Sequence, residues 1–347
     1  MLTQERKLIE EQVAAVSRSF AFVINQLRDP LKTEIQIGYL LFRLGDNLED
    51  TSSLSVDEKR ELFEELIAAF RDNRAFTPSL DKYQDNPWQG LTQGEIELFS
   101  HTDKIIAVFS TLSEKARESL LREAVNMFRG MEKIQQEHRT PDGKYVRLKN
   151  TDELNEYCYY VAGTVGDYLT ERFLDAMPYL DDRRIHLLNQ TRRSVALTLQ
   201  VTNITRDIKD DYENNHIFYP AELIDGFDTQ TLLAPENQTK ILDAGAEMAA
   251  WLYPSLIEAE KYISQIPLRE HRIRLFVIIP YAMALKTLGL TLRNPDIFKD
   301  EPVKITRSAV KRTFLMSKAA ACSNIVMTLW FNSLRDVIRK KIKPYPP

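Results

Sequence analysis

Apolar residues recur at the spacing of an α-helix through most of this 347-residue chain. One stretch that shows the spacing contains Leu62, Phe63, Leu66, Ile67 and Phe70. Side chains at this spacing share one face of a helix and can be buried together. Alternating runs bounded by turns, which would indicate strands, are scarce. The sequence therefore predicts an all-α protein.

Four segments rich in Pro, Gly, Asn or Asp interrupt the helical pattern. They span residues 72–90, 140–150, 219–229 and 293–303. No Gly/Ser linker, low-complexity tract or shift in composition marks a boundary between domains. We expect these breaks to separate helices, and residues 1–347 to form a single domain.

The composition supports a buried core and excludes several classes of protein. The chain is 44% hydrophobic and 28% charged, which is ordinary for a globular protein. Its formal charge of −4 and its scattered basic residues argue against a nucleic-acid partner. The cysteines Cys158 and Cys322 are far apart in sequence, so we expect no disulfide framework and no thiolate metal site.

The location of the protein is predicted from its N-terminus and its apolar stretches. Charged residues follow the initiating Met1 almost at once, which is unlike a secretory signal. The longest apolar stretch, residues 275–290, contains Lys286 and is shorter than the roughly 18–20 residues that span a bilayer. We therefore expect a cytoplasmic protein without a transmembrane segment.

The strongest local feature is an acidic run at residues 46–50. At about 100° per residue, Tyr39, Arg43, Asp46 and Asp50 fall on one stripe of a helix, with Glu49 beside it. The three carboxylates repel one another, and the single guanidinium cannot neutralise them. The arrangement favours a bound cation.

A second polar face contains Asp207 and Asp211, one helical turn apart. Gln200 lies on the same stripe, and Asn203 and Asp210 flank it. Mg²⁺ prefers oxygen ligands and binds through a few carboxylates together with substrate phosphates. Two such acidic turns facing each other could hold a diphosphate through bridging ions.

Either acidic turn alone is more typical of a solvated helix end. Together, each with an arginine and with amide or hydroxyl groups on the same helix, they indicate a metal site. An EF-hand is excluded because Lys209 and Tyr212 occupy positions that need an oxygen ligand and a glycine. The five histidines show no paired spacing of the kind that binds zinc.

Nucleotide-binding motifs of the usual kinds are absent from the sequence. No P-loop occurs, and Gly163 and Gly166 do not form the G-x-G-x-x-G pattern of a Rossmann fold. These two glycines are more typical of a place where two helices approach closely.

From about residue 17 to about residue 311, the chain resembles the squalene/phytoene synthase family. The early segment Ser17-Arg18-Ser19-Phe20 is similar to one that contacts diphosphate in that family. The two acidic turns resemble its two aspartate motifs, as Tyr39-x-x-x-Arg43-x-x-Asp46-x-x-Glu49-Asp50 and Gln200-x-x-Asn203-x-x-Arg206-Asp207-x-x-x-Asp211. A further signature, in which the first tyrosine faces the reacting carbons, resembles the run from Tyr157 to Gly163.

The resemblance implies an isoprenoid-synthase fold, with helices around a central apolar cavity and aspartate-rich turns at its mouth. It implies Mg²⁺, with Mn²⁺ as an alternative, at Asp46, Glu49, Asp50, Asp207 and Asp211. It implies diphosphate contacts from Ser17, Arg18, Ser19, Tyr39, Arg43, Gln200, Asn203 and Arg206. It also implies a catalytic role for Tyr157, together with the four aspartates, and a tunnel lined by Phe20, Phe22, Phe276 and Pro280.

The implied reaction joins two farnesyl diphosphates head to head through presqualene diphosphate, and NADPH then reduces the product to squalene. Lys304 and Arg307 resemble a reductant-associated loop, although an ordinary basic loop fits them equally well. Dehydrosqualene or phytoene formation without a reductant, and release of presqualene diphosphate, stay open as alternatives. Two departures from the family pattern, His216 and Thr306, each stand where a basic residue is usual.

The partners expected from these arguments are farnesyl diphosphate and, because the product is very apolar, a membrane in transient contact. A monomer is favoured. A catalytically silent interaction or assembly protein is the non-enzymatic alternative. The intact acidic turns argue against this alternative, because the repulsion between clustered carboxylates has no benefit in a protein that serves only as a scaffold.

Overall fold

The computed structural model describes residues 2–51, 54–78, 88, 90–224, 226 and 228–342. Helices dominate these residues. The strands among them are β1 (Val146–Arg147) and β2 (His216–Ile217), which pair in parallel. The all-α prediction is confirmed.

Each of the four predicted breaks falls between two α-helices, and the structure has further junctions that were not predicted. Residues 79–87, 89, 225 and 227 of these breaks lie outside the described ranges. In chain order they are α1 (Leu2–Val16), α2 (Arg18–Ile24), α3 (Leu31–Asp50), α4 (Val56–Asp72), α5 (Gln93–Ser100), α6 (Thr102–Phe109), α7 (Glu114–Glu137), α8 (Thr151–Cys158), α9 (Thr164–Ala176), α10 (Asp182–Thr191), α11 (Ser194–Arg206), α12 (Ile208–Glu213), α13 (Gln238–Gln265), α14 (His271–Thr291), α15 (Arg307–Cys322) and α16 (Asn324–Ile342). A π-helical turn, Tyr159–Gly163, joins α8 to α9.

The chain divides into two compact units. Unit 1 contains Met1–Gln136 and Asp167–Leu180, and unit 2 contains Glu137–Gly166 and Asp181–Pro347. The organisation of residues 1–347 as a single domain stays a prediction.

The core of unit 1 is built around α3, which packs against α1, α4, α5 and α6. Most of its side chains are buried, and α7 approaches it closely at Gly45. A Cβ atom at this glycine would lie 2.0 Å from Cε1 of Phe128 on α7. A residue with a side chain therefore cannot occupy this position unless the ring moves.

The core of unit 2 is built around α14, which packs against α11, α15 and α16. Residues 273–279 are buried without interruption, as expected for a helix that is surrounded by others. By length and composition, Leu268–Thr291 is the one candidate membrane span among the described residues, and 78% of its apolar window is buried. Packing inside unit 2 accounts for this apolar composition.

A fully buried arginine, Arg274 of α14, holds several helix ends together. Its guanidinium donates to the backbone oxygens of Ile263 and Ile266, at 2.9 and 2.7 Å, where α13 ends. It also donates to the backbone oxygen of Ala321, at 2.8 Å, where α15 ends, and to Oδ1 of Asn324, at 2.7 Å. The last carbonyls of a helix have no partner within the helix and favour a positive charge.

Candidate active site

In unit 1, the first acidic turn forms the end of α3, so its side chains have the helical spacing that the sequence predicts. Arg43 and Asp46 form an ion pair, with Nη1 and Oδ2 3.9 Å apart. The pKa of Asp46 is raised to about 7, chiefly by burial. Arg43 opposes this rise, whereas the carboxylates of Asp50 and Glu95 add to it. The acidic turn is thus crowded with more negative charge than its arginine can compensate.

Glu49 is placed differently from the two aspartates. It is 8% exposed, and its Oε1 accepts a hydrogen bond of 3.5 Å from Gln135 of α7, whereas Asp50 is exposed. Burial and repulsion from Asp50 raise the pKa of Glu49, and nearby Lys59 opposes this. The three carboxylates of this turn therefore differ in exposure, because Glu49 is buried, Asp46 is half-buried and Asp50 is exposed.

Sequence reasoning missed Glu95 of α5. Its carboxylate lies close enough to Arg43, Asp46 and Asp50 to shift their pKa values. Oε2 of Glu95 also accepts from the backbone N–H of Thr92 at 2.9 Å, as part of a capping box. The motif Thr92-x-x-Glu95 is visible in the sequence, but it predicts only where a helix begins and not which residues will lie beside that helix.

The early segment lies beside the first acidic turn. Ser17 is the N-cap of α2, and the side chains of Ser17 and Arg43 lie close enough to the hydroxyl of Tyr39 to lower its pKa. Burial raises the pKa of Tyr39, so its hydroxyl stays protonated and can donate. Arg18 and Ser19 are exposed at the start of α2. Within unit 1, the structure thus places Ser17, Tyr39 and Arg43, three of the predicted diphosphate contacts, close together.

The two aromatic residues predicted to line a tunnel from α2 have different environments. Phe20 is half-buried and packs on Tyr39, with ring centroids 5.3 Å apart. Phe22 is 44% exposed, which is more than expected for a tunnel wall. On a short helix, residues two apart point to different sides, so both rings cannot face the same surface.

In unit 2, the second acidic turn lies where α11 gives way to α12. Asp207 stands between the two helices, and its backbone oxygen accepts from the N–H of Asp211 at 2.9 Å. The one-turn spacing of the two aspartates is therefore preserved. Gln200 is half-buried and Asn203 is exposed on α11.

Arg206 forms a bidentate salt bridge with Asp207. Its Nε donates to Oδ1 at 2.6 Å, and its Nη2 donates to Oδ2. The pKa of Arg206 is raised, chiefly by this bond. Partial burial and Asp207 also raise the pKa of Asp210. The predicted phosphate ligand and the predicted metal ligand thus neutralise each other, and a diphosphate with its cation would replace this pairing with two new ones.

Tyr157 is buried at the end of α8, and its ring stacks on Phe218 with centroids 4.2 Å apart. Phe218 stacks in turn on His216, at 5.2 Å. His216, which departs from the family pattern, therefore belongs to an aromatic stack. Sequence reasoning did not pair Tyr157 with Phe218, because the two residues are 61 positions apart.

Of the two glycines after Tyr157, Gly166 is a site where the backbone of another element approaches closely, as predicted, whereas Gly163 is crowded by a side chain of its own turn. A Cβ atom at Gly166 would lie 2.9 Å from the backbone oxygen of Arg192, and one at Gly163 would lie 2.8 Å from Cδ2 of Tyr159. Gly163 also ends the π-helical turn. Such turns are rare and occur often at functional sites.

The late basic loop leads into α15. Lys304 is exposed, and Arg307 is the exposed first residue of the helix. Thr306 caps this helix, since its Oγ1 accepts from the N–H of Ala309 at 3.2 Å. The second departure from the family pattern thus has a structural role, and the helix start adds positive potential beside Arg307.

The remaining predicted tunnel residues lie within α14. Phe276 is buried and Pro280 is half-buried. The helix α14 continues through Pro280 without a break. A helix can contain a proline where packing from its neighbours compensates for the lost hydrogen bond.

Both acidic turns fit the way in which proteins bind Mg²⁺ with a phosphate substrate. Among the described residues, no three His, Cys, Asp or Glu side chains are grouped so as to hold an ion by themselves. Mg²⁺ usually takes only one or two carboxylates and completes its shell with water and phosphate. The pairs Asp46 with Asp50, and Asp207 with Asp211, each provide that number of ligands.

Comparison with known proteins agrees with these features. The family model described as squalene/phytoene synthase matches residues 13–309. A squalene synthase of Schizosaccharomyces pombe is 30% identical over 304 residues, which is 87% of this chain and 62% of that protein. Squalene synthase 1 of Arabidopsis thaliana is 30% identical over 88% of this chain and 70% of its own length.

Solved structures show the same fold. A ligand complex of TcSQS has a TM-score of 0.78 at 23% identity and covers 98% of both chains. A dehydrosqualene synthase with bound ligand has a TM-score of 0.64 at 18% identity, over 92% of this chain and 96% of that one. The match of the family model over most of the sequence is decisive, and the chain belongs to the squalene/phytoene synthase family.

Proposed function

We propose that this chain is a Mg²⁺-dependent prenyltransferase that joins two farnesyl diphosphates through presqualene diphosphate and reduces the product with NADPH to squalene. The relatives named squalene synthase support this choice. The observation that carries it is the first acidic turn, where the carboxylates of Asp46, Glu49, Asp50 and Glu95 outnumber the nearby cations, Arg43 and Lys59. A bound cation would remove the repulsion between these carboxylates.

Departure of the diphosphate is the step that the polar residues would assist. Mg²⁺, held by the acidic turns, would supply Lewis-acid stabilisation of the leaving group. In unit 1, Arg43 and Tyr39 of α3 would donate to phosphate oxygens, and in unit 2 Arg206 of α11 would do so once it leaves Asp207. Arg43 and Tyr39 share one face of α3, so negative charge that develops on a leaving group there would meet donors that are already in position.

Tyr157 would act beside the carbocation that this departure leaves. Its ring is buried and stacked, so it can present a fixed aromatic face, and its hydroxyl can orient a proton transfer. Burial also keeps water away from the cation, which water would convert to an alcohol.

Replacing Tyr157 with Phe tests this role. The stacking on Phe218 should persist, because the ring is kept. We expect the rate of coupling to fall about 100-fold or more, with little change in the affinity for farnesyl diphosphate. The measurement is single-turnover formation of presqualene diphosphate, together with equilibrium binding of a non-ionisable farnesyl diphosphate analogue.

Tyr160→Phe is the matched control. It removes a nearby hydroxyl that donates to Oε1 of Glu156 at 3.1 Å. We expect this variant to keep a rate close to that of the wild type. Equal losses of rate and affinity in Tyr157→Phe, or no loss of either, would mean that Tyr157 serves only in packing.

The reductive step is tested by the products formed with and without NADPH. We expect the wild type to release squalene with NADPH and to accumulate presqualene diphosphate or dehydrosqualene without it. Lys304→Ala and Arg307→Ala should each raise the NADPH concentration that is needed for half-maximal squalene formation by about ten-fold or more. A charge-assisted contact to phosphate contributes about 1.5–3 kcal/mol.

Formation of presqualene diphosphate should be unaffected in both loop variants, which serves as the internal control. Exposed Lys311 lies on the same helix, and Lys311→Ala should leave the NADPH requirement unchanged. If the wild type makes one hydrocarbon regardless of NADPH, the enzyme is a dehydrosqualene or phytoene synthase. If presqualene diphosphate is the only product under both conditions, the enzyme stops at that intermediate. Absence of any product would favour an interaction or assembly protein.

A cytoplasmic monomer in transient contact with a membrane completes the proposal. The substrate has a charged head, whereas squalene is a hydrocarbon. An enzyme that takes the first from water and releases the second therefore benefits from a lipid surface nearby.

A further inference from the structure

The segment between Glu301 and Asp336 differs in charge from the rest of the chain. It contains six basic residues and no acidic one, although the chain as a whole contains 50 acidic and 46 basic residues. Most of the segment forms α15 and α16, which are joined at Ser323. Unit 2 therefore has a pair of helices whose charge is opposite to that of the chain.

The same two helices expose large apolar side chains. Leu315 of α15 is 63% exposed, and Ile325 and Leu329 of α16 are 74% and 66% exposed. Except for Ile325 and Leu329, no described large hydrophobic residue is as exposed as Leu315. Single exposed leucines are ordinary on a protein surface, but three within fifteen residues are not.

The basic and apolar residues occupy the same side of α15. At about 100° per residue, Leu315 falls between Lys318 and Lys311 on one flank and Arg312 on the other. Buried Thr313 and the other inward residues of α15 lie on the opposite side. We call the exposed side chains of Lys311, Leu315, Lys318, Ile325 and Leu329 the hairpin surface.

The junction between the two helices is held in place from inside unit 2. Arg274 donates to the backbone oxygen of Ala321, three residues after Lys318, and to Asn324, next to Ile325. The hairpin surface therefore has a preformed shape, and a partner could bind its exposed leucines without any refolding of the two helices.

We propose that the hairpin surface docks this enzyme on an anionic lipid bilayer. The cations that flank Leu315 on α15, together with exposed Ile325 and Leu329 on the next helix, match a surface with negative headgroups above an apolar layer. Surfaces that bind single-stranded nucleic acids combine cations with aromatic rings on which the bases stack. The residues of the hairpin surface include cations but no aromatic ring. The docking is independent of catalysis, although it would bring the proposed hydrocarbon product next to lipid.

The proposal is tested by measuring how the substrate-free protein binds to vesicles. The result does not depend on whether the proposed catalytic function is correct. We expect the wild type to sediment with phosphatidylcholine vesicles that contain about 30% phosphatidylserine, and much less with phosphatidylcholine alone. The double variant Lys311→Glu, Lys318→Glu should weaken binding to the anionic vesicles at least about 25-fold. Each basic side chain near such a surface contributes about 1 kcal/mol, which corresponds to about five-fold in binding.

The matched charge control is Arg183→Glu, Lys261→Glu. It has the same net charge as the hairpin variant, and both residues are exposed in unit 2 outside the hairpin. This control should bind vesicles nearly as well as the wild type. Equal weakening in both double variants would mean that total charge, and not this surface, controls binding.

The apolar part is tested separately by Leu329→Ser, with Ile257→Ser as control. Ile257 is also exposed, at 38%, but lies on α13. We expect about ten-fold weaker binding for Leu329→Ser and no change for Ile257→Ser. Circular dichroism should show that the variants are folded.

Two results would overturn the proposal. One is vesicle binding that is undetectable in the wild type or unchanged in the hairpin variants. The other is a wild-type dimer in light scattering that Leu329→Ser converts to a monomer without any change in vesicle binding. That second result would assign the hairpin surface to a contact between two copies of the chain.

Discussion

Asp207→Asn is expected to lower the turnover of farnesyl diphosphate by about three orders of magnitude, which corresponds to about 4 kcal/mol of transition-state stabilisation. The change keeps the shape of the side chain but removes the charge that would hold Mg²⁺ and that pairs with Arg206. Asp50→Asn should have an effect of similar size at the other acidic turn. The measurement is kcat for pyrophosphate release at saturating Mg²⁺, with far-ultraviolet circular dichroism as the check on folding.

Asp210→Asn is the control for this prediction. It makes the same chemical change in the same turn, at an exposed residue outside the predicted ligand set. We expect a rate within a few-fold of the wild type. Full activity in both Asp50→Asn and Asp207→Asn would contradict the proposed metal site. Loss of the helical circular dichroism signal would mean that the substitution disrupts folding and not metal binding.

The largest effect on stability is expected from Arg274→Met. Methionine has a similar length, but it leaves the end carbonyls of α13 and α15 buried without their donor. Breaking a buried, fully hydrogen-bonded charged group typically costs about 3–5 kcal/mol. We expect the free energy of unfolding of unit 2 to fall by this amount in urea denaturation. Burial lowers the pKa of Arg274 to about 10, so the side chain is still charged at neutral pH.

Arg269→Met is the comparison for that measurement. This arginine lies five residues earlier and is largely exposed. Its replacement should change the free energy of unfolding by no more than about 0.5 kcal/mol. If both variants unfold alike, the hydrogen bonds of Arg274 do not contribute to stability in the way proposed. If Arg274→Met loosens the α15–α16 junction, the hairpin surface should also bind vesicles less well.

Much of the fold was predictable because its signals are local. Helical periodicity and the segments rich in Pro and Gly depend only on neighbouring residues, and they predicted the helical class and four of the breaks between helices. The close approach at Gly166 was predictable for the same reason, since a small residue within a helical pattern marks a place where backbones can meet.

The chemistry of the candidate site was only partly predictable. The spacing of Asp46 with Asp50 and of Asp207 with Asp211 follows from one helical turn, and both spacings are present in the structure. The spacing could not reveal that Glu49 turns towards Gln135, because helical geometry does not say which element covers the next face. It also could not reveal that Phe22 is exposed.

By itself, the sequence determined the helical class, four of the breaks between helices and the identity of the acidic, basic and aromatic groups available for chemistry. The tertiary structure decided which distant residues join them: Glu95 beside the first acidic turn, Phe218 on Tyr157, and Arg274 at the ends of two other helices. Glu95, Phe218 and Ala321 lie some 45 to 61 residues from the groups that they join, at separations where helical periodicity carries no information. Only the packing of whole helices against one another, driven by burial of their apolar faces, brings such residues into contact.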